Sequence, residues 1–422
     1  MKPFESIFTK DTSVLILGFG REGRSTYAFL QKNFPFLRIG IADKNEAIAG
    51  EKPDAVLHLG EGYLDALSGY DLVMKSPGVK LGPVSEDVKR KITSQTDLFL
   101  QHYGGQTVGV TGTKGKSTTV SLIYHLLRKT GKNALLMGNI GLPAFDFLQN
   151  IDSGTWLVYE LSAHQLEFVH ASPHWAVLLN LFPEHLDYFG NYAAYRNAKM
   201  NIFRYQKPGD FAFCGEQVNR SFPCKRPDKK RFQGKNLLQH SGLQGEHNLK
   251  NILLAFEVLE SMGVSYEQLP EALEGFNPLP HRLEYVGKFG GVDFYNDSIS
   301  TVPQSAIEAV KSIPETDALI LGGYDRGLDY GVLVDFLQTS HVQYFFFMGK
   351  AGERMYTLFR NAGSGKKLFP VESLSDVFDK LKTISAISCC LLSPAAASYD
   401  RYHNFEHRGD RFKALARAFV RK

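Results

Sequence analysis

The chain has 422 residues, of which 43% are apolar and 22% charged, and its formal net charge is +4. Length and composition fit a globular chain of about two to four domains, and so small a charge excess offers no bulk attraction to nucleic acid or a membrane surface. The opening "MKPFESIFTKD" is too polar for a signal peptide, and no apolar run approaches a membrane span. Cys214, Cys224, Cys389 and Cys390 form no zinc pattern and read as free thiols, so a reducing cytoplasm is the expected location.

Apolar runs alternate with amphipathic stretches along most of the chain, which predicts an α/β protein built on parallel sheets. The first run, in "SVLILGFGREGRST" (13–26), stops at Gly18, and Gly20 and Gly23 complete G-x-G-x-x-G ahead of a helix. Asp43 ends the next run. Glycines there let the backbone approach a pyrophosphate at a helix N-terminus, and the acid is placed for a ribose hydroxyl. Taken alone, this block reads as part of an NAD-dependent oxidoreductase. A further strand, "DLVMKSPG" (71–78), leads into a connector with Ser76, and the block closes near residue 98 as a Rossmann-like domain over 1–98.

A new start at "GGQTVGVTGTKGKSTT" (104–119) opens a central domain over 99–280. Its core is "GTKGKST" (112–118), set between a strand and a helix. Gly112 and Gly115 free backbone N–H groups to wrap a phosphate chain, and Thr113 and Thr118 stand in the same nucleotide loop. Lys116 would reach the β- and γ-phosphates and Ser117 would ligate magnesium, which makes ATP the expected ligand. Val110 stands where the full P-loop pattern has its first glycine, so the loop is a variant.

"WLVYELSAHQLE" (156–167) ends a buried-type strand at Glu160, on the sheet edge that carries the P-loop. The carboxylate is a candidate magnesium contact, although by itself a surface glutamate explains the stretch as well. "HWAVLLNLFPEHLDYF" (174–189) repeats the design and brings His185 to the same edge, and "NYAAYRNAKMNIF" reads as a helix carrying Lys199. "GEHNLKNILLAF" (245–256) puts Asn248 and Asn251 on one face at a helix start, for a purine, a phosphate or a cap.

The last domain, 281–422, holds "DALILGG", "YFFFMGK" and "CCLLSPAA", three strands of a second Rossmann-like sheet. Polar residues gather after its strands in "YNDSIST", "GGYDRG" and "SPAAASYDRYHNFEHRG", as ligand-binding loops do.

Taken together, "VTGTKGKST", "YELSAHQLE", "NLFPEHLDY", "YRNAK", "GEHNLKN", "LPHRLE", "YNDS" and "LLSPAAASYDRYHNFEHRG" resemble, in order and spacing and over the whole chain, the Mur ligases of cell-wall synthesis. The resemblance is nearest to the branch that joins glutamate to UDP-N-acetylmuramoyl-L-alanine with ATP and magnesium. It implies that Lys116 holds the ATP phosphates, that Ser117 and Glu160 share one magnesium, and that His185 and a carbamylated Lys199 serve a second. It further implies adenine contacts from Asn248 and Asn251, and ribose and phosphate contacts from Arg282 and Asp297. Gly18, Gly20, Asp43, Ser76 and Asn139 would hold the UDP-sugar, and Arg326, Ser398 and Phe405 the incoming glutamate. A monomer is expected. One departure stands out: after "NDS" the branch usually reads K-A-T-N, whereas here Ile299 to Val302 offer no cation. Arg326 is a non-equivalent substitute for an ammonium, so D- and L-glutamate both stay open, with D-glutamate leading.

Overall fold

The computed structural model describes residues 4–421 apart from 52, 139–142, 220, 233–236, 244, 277–279 and 364. Three sheets carry the chain. The first comprises β1 (Ser13–Leu17), β2 (Arg38–Asp43), β3 (Val56–Leu59), β4 (Leu72–Lys75) and β5 (Ile92–Thr93), all parallel in the order β3-β2-β1-β4-β5. "SVLIL" is buried along its whole length, as a central parallel strand covered on both faces must be. The strand order reverses between β1 and β4, so the crevice at their carboxyl ends lies between Gly18 and Ser76.

The second sheet comprises β6 (Thr107–Thr111), β7 (Ala134–Gly138), β8 (Trp156–Glu160), β9 (Trp175–Leu178) and β10 (Phe211–Cys214), parallel in the order β10-β9-β6-β8-β7. Because β6 lies between β8 and β9, the glycine-rich loop after Thr111 is flanked by Glu160 and by the segment after Leu178. Three motifs far apart in the chain thereby meet at one sheet edge.

The third sheet comprises β11 (Glu284–Phe289), β12 (Val292–Asn296), β13 (Ala318–Gly322), β14 (Tyr344–Met348), β15 (Lys367–Pro370) and β16 (Cys389–Leu392), in the order β11-β12-β16-β13-β14-β15. It departs from a purely parallel Rossmann-like sheet, since β11 pairs antiparallel with β12. The cause is local: Gly290 and Gly291 both have positive φ, 55° and 80°, which closes a tight hairpin and adds an edge strand.

By its internal contacts the chain divides into two compact units, Met1–His240 with Lys250–Gly275, and Ser241–Leu249 with Phe276–Lys422. The first unit contains both parallel sheets. One buried cluster runs from Val14, Ile16 and Leu30 to Leu157, Tyr159 and Leu178, so the two sheets share a core. In the second unit, apolar residues cover both faces of the third sheet, with Leu319, Leu321 and Phe345 on one side and Ile320, Phe346 and Leu392 on the other.

The expectation of four free thiols needs correction. Cys214 and Cys224 are joined as a disulfide, while Cys389 and Cys390 are buried thiols. Lys225 runs beside β10, its N–H donating to Ala212 and its carbonyl accepting from Cys214, and this pairing brings Cys224 alongside. Among the described residues no helix is long and apolar enough to cross a membrane.

Candidate active site

The loop after β6 is held by its own strand neighbour. Asn180, just beyond β9, accepts from the Lys114 N–H through Oδ1 at 2.8 Å and donates to the Lys114 carbonyl at 3.0 Å, and its carbonyl accepts from Thr113 N–H. Gly115, with φ of 85°, precedes the helix Lys116–Lys129, whose N-terminus has no side-chain cap and points at the loop, as an anion-binding helix start does. A Cβ at Gly115 would stand 3.1 Å from the Asn251 amide, which places Asn251 against the loop. Lys116 lies back over the loop, its Nζ donating to the carbonyls of Gly112 at 3.0 Å and Thr113 at 3.1 Å. Ser117 and Thr118 follow, both buried.

Lys199 comes from the helix Tyr192–Arg204 and is buried, with Nζ donating to Gly112 O at 2.8 Å. Burial, followed by the neighbouring Lys116 charge, holds its ammonium well below the ordinary lysine range. Glu160 is equally buried at the end of β8. A cavity of about 270 Å³ is lined by Lys116, Lys199, His164, Glu184 and His185, together with Pro77 and Gly78 of the loop after β4. His185 has a left-handed backbone, φ 56°, and caps the short helix Leu186–Phe189; its ring packs 4.9 Å from that of His164. Glu184 pairs with Lys114 at 2.7 Å. Burial raises the Glu184 pKa, but Lys114, with Lys116 and His185, outweighs it and leaves the carboxyl below its ordinary value.

At the first sheet, Gly18 has φ of 90°, and a Cβ there would come within 2.6 Å of Val79 Cγ2. Its carbonyl accepts from Ser76 Oγ at 2.7 Å, joining the turn to the loop after β4. Gly20 has open space around it, whereas a Cβ at Gly23 would lie 2.1 Å from Gly18 O. Asp43 accepts from the N–H groups of Phe19 at 2.6 Å and Asn45 at 2.8 Å. Its carboxylate thus also shapes the turn. Behind the turn lies Glu22, whose carboxyl burial pushes up to about 7 against the opposing pull of Gln165 and Lys75. Buried Lys75 donates to the Tyr188 hydroxyl at 3.1 Å and lies 3.5 Å from Glu167.

In the second unit, the ends of β12, β13 and β16 meet around Arg408. This buried guanidinium donates to Ser298 Oγ at 3.0 Å and to the carbonyls of Ser298 at 2.8 Å, Ala396 at 3.1 Å and Ala397 at 3.2 Å. Burial draws its pKa down to about 10. Asp297 accepts from Ser393 Oγ at 2.8 Å and Leu283 N at 3.2 Å, and burial lifts its carboxyl to about 6 despite those bonds and the nearby Arg282. Ser298 Oγ donates to the Phe405 carbonyl at 2.8 Å, Ser398 is buried in the same strand-end layer, and Arg326 donates to Thr301 O at 2.8 Å.

Residues 110–230 match a model of the Mur ligase middle domain. The UDP-N-acetylmuramoylalanine–D-glutamate ligase of Clostridium kluyveri is 31% identical over 97% of this chain and 97% of its own. The ligase of the same name from Koribacter versatilis is 32% identical over 96% and 97%. The chain belongs to the Mur ligases. They are ATP-dependent ligases of peptidoglycan precursor synthesis. Among solved structures, MurF of Thermotoga maritima in complex with ADP aligns over 90% of this chain and 95% of its own, with a TM-score of 0.56 at 17% identity. A MurF structure from Acinetobacter baumannii gives a TM-score of 0.59 over 96% and 90%, at 16% identity, which again speaks for the fold.

In this Mur ligase, Lys116, His185 and Lys199 line one cavity, with Ser117 one residue beyond Lys116 and Glu160 at the end of the neighbouring β8. Arg282, Asp297, Arg326, Ser398, Phe405 and Asn248 lie in the second unit. Asn139 falls outside the described residues. Glu184, Lys114, Lys75, Glu22 and Arg408 escaped sequence reasoning. All five stand inside motifs that were already quoted, next to Gly115, His185, Ser76, Gly23 or Gly409, but their roles depend on partners elsewhere in the chain.

Proposed function

We propose that the chain joins D-glutamate to the L-alanyl carboxylate of UDP-N-acetylmuramoyl-L-alanine, with ATP, through an acyl phosphate. The observation that carries this reading is the meeting of Lys116, Lys199 and His185 around one cavity beside the nucleotide loop. Relatives of nearly full coverage that bear that activity's name support the choice of substrates.

In this reading Gly112, Thr113, Gly115, Ser117 and Thr118 cradle the phosphates of ATP, Asn248 and Asn251 face the adenine, and Arg282 and Asp297 the ribose and phosphates. Gly18, Gly20, Asp43 and Ser76 take the UDP-sugar within 1–98, and Arg326, Ser398 and Phe405 take glutamate within 281–422. Arg326 already reaches the 299–302 loop, where a branch lysine is missing.

The γ-phosphoryl group passes to the alanyl carboxylate and ADP leaves. The glutamate amine then attacks the acyl carbon, phosphate departs with the C–O bonding pair, and the amine's surplus proton goes to solvent. Both partners of the first step are anions, so Lys116 offsets their repulsion and the charge that develops in transfer. Among the described residues no three His, Cys, Asp or Glu side chains form a metal cluster. The hydroxyl of Ser117 and the carboxylate of Glu160 fit magnesium, which takes oxygen ligands and binds through one or two protein groups plus phosphates. When bound, it would supply Lewis-acid stabilisation of the phosphoryl oxygens. Burial disfavours the Lys199 ammonium, and the neutral amine is the form that attacks carbon dioxide, so Lys199 is suited to carbamylation, which would turn its end into an oxygen donor beside His185. We place the enzyme in the cytoplasm as a monomer.

The test is phosphate release from ATP with UDP-N-acetylmuramoyl-L-alanine and either D- or L-glutamate. The proposal expects release that depends on D-glutamate; equal or greater release with L-glutamate reassigns the stereochemistry, and release without glutamate dependence removes the ligase reading.

A further inference from the structure

Cys214 ends β10, and the cysteine bonded to it, Cys224, lies 10 residues further along. The segment that starts this ring bears on the nucleotide loop from two directions. Gly215 donates its N–H to Leu178 O at 2.9 Å, and a Cβ there would collide with the Leu179 carbonyl. Leu179 Cβ in turn lies 2.9 Å from where a Cβ of Gly112 would stand, and its N–H donates to Thr111 O. On the other side, Glu216 pairs with Lys250 at 3.5 Å, and the next residue, Asn251, stands against Gly115. One short segment thus touches the supports of both Gly112 and Gly115.

The disulfide closes that segment at its far end. Other ties surround it: the Arg226 guanidinium donates to the carbonyls of Gly215 at 3.1 Å and Asn219 at 3.0 Å, and Lys225 pairs with Glu257 at 3.0 Å and Glu260 at 3.2 Å. None of these bonds involves sulfur. Parting the sulfurs therefore leaves β10 in place and returns freedom to the segment alone. Cys214 is 0% exposed, whereas Cys224 is half-buried between exposed Pro223 and Lys225, so a thiol in solution meets the bond at Cys224. Disulfides in a reducing cytoplasm are seldom structural, and those that occur there usually form and break as sensors.

We propose, on the cytoplasmic placement and the nucleotide-loop reading given above, that Cys214 and Cys224 form an exchange site for low-molecular-weight thiols such as glutathione, and that its closure braces the nucleotide loop. In opening, a glutathione thiolate attacks Cys224 Sγ, the Sγ–Sγ bond breaks, and Cys214 leaves as a thiolate that takes a proton. A second glutathione thiolate attacks the glutathione sulfur of the mixed disulfide and frees Cys224, which takes a proton in turn. Two glutathiones are oxidised to their disulfide and the protein bond gains two electrons; closing runs the same steps in reverse.

Non-reducing peptide mapping and titration calorimetry with magnesium ADP, on the full chain in glutathione buffers from mostly oxidised to mostly reduced, test this. The expected result is a Cys214–Cys224 bond that millimolar reduced glutathione opens and glutathione disulfide closes again. On opening, the dissociation constant for ADP rises about threefold or more, because binding must then order the loop, and it falls back on closing. Cys224→Ala keeps the weaker value in every buffer; if that variant misfolds, the reversible change in the parent decides by itself. A bond that millimolar reduced glutathione leaves intact, thiols that glutathione disulfide leaves open, or equal ADP affinity in the two forms overturns the proposal. ADP that binds neither form removes the nucleotide-loop reading and the brace with it.

Discussion

Two turns in the first unit use the same backbone device and differ in charge. In each, a buried parallel strand at a switch point runs into a glycine-rich turn and then a helix with no side-chain cap, and in each a glycine takes positive φ, 90° at Gly18 and 85° at Gly115. Around the first turn stand the acids Glu22 and Asp43, the hydroxyl of Ser76 and one lysine, Lys75; around the second stand three lysines, Lys114, Lys116 and Lys199, with Glu184 on Lys114. A glycine turn at a helix N-terminus favours an anion and says nothing of its fate. Backbone N–H groups suffice to hold a diphosphate. Moving a phosphoryl group onto a carboxylate also needs mobile and buried cations to offset charge in transit. The contrast supports the proposed division, in which the first turn holds the diphosphate and the second carries the chemistry.

The largest break in that assignment would come from Lys116→Ala. ATP-dependent phosphate release should fall by about 10²–10³-fold, the usual cost of removing a group that stabilises transferring charge. The UDP-substrate dissociation constant should stay within about threefold of the parent, because the loss is one of transition-state stabilisation rather than ground-state binding. Turnover within about tenfold of the parent would falsify the division of labour. Next is Lys199→Ala, expected to cost about 10–100-fold, as loss of a metal-supporting group does. Short carboxylic acids such as acetate should restore part of this turnover by replacing the missing oxygens. A drop without any rescue would leave Lys199 as a structural amine.

The glycines, the Lys–Ser pair and the strand ends were readable because each depends on neighbours within a few residues. P-loop spacing fixes which side chains reach a phosphate, and a continuous apolar run such as "SVLIL" marks a strand buried on both faces. What escaped depends on contacts across long stretches of chain. Lys75 meets Tyr188 over 113 residues and Lys114 meets Glu184 over 70. Arg408 reads as an ordinary helical arginine until three strand ends close on it. The Cys214–Cys224 bond likewise rests on one isolated bridge, Phe213 with Lys225, which no local pattern announces.

Smaller effects sharpen the first turn. Gly18→Ala places a Cβ 2.6 Å from Val79 and at a φ that alanine disfavours. The expected outcome is a KM for the UDP-substrate raised about tenfold or more, because so close a contact forces Val79 or the turn itself to move, with the KM for ATP unchanged. An equal rise in both would mean that the substitution loosens the whole unit. Glu22→Gln should show itself in the pH dependence of stability. The folded pKa of about 7 lies above the ordinary 4.5, so the carboxyl's contribution is full below pH 4.5 and is lost as pH rises toward 7. Glutamine has no such loss. Its Tm relative to the parent should rise by about 3 °C between pH 5 and pH 8, and a flat difference would place the Glu22 carboxyl in water.

The claim that the second turn carries chemistry is tested most directly by isotope transfer. UDP-N-acetylmuramoyl-L-alanine labelled with oxygen-18 in its alanyl carboxylate is turned over with ATP and D-glutamate, and the released phosphate is examined by mass spectrometry. An acyl phosphate places one labelled oxygen in each phosphate released. Phosphate free of label, with amide product formed, would contradict the account.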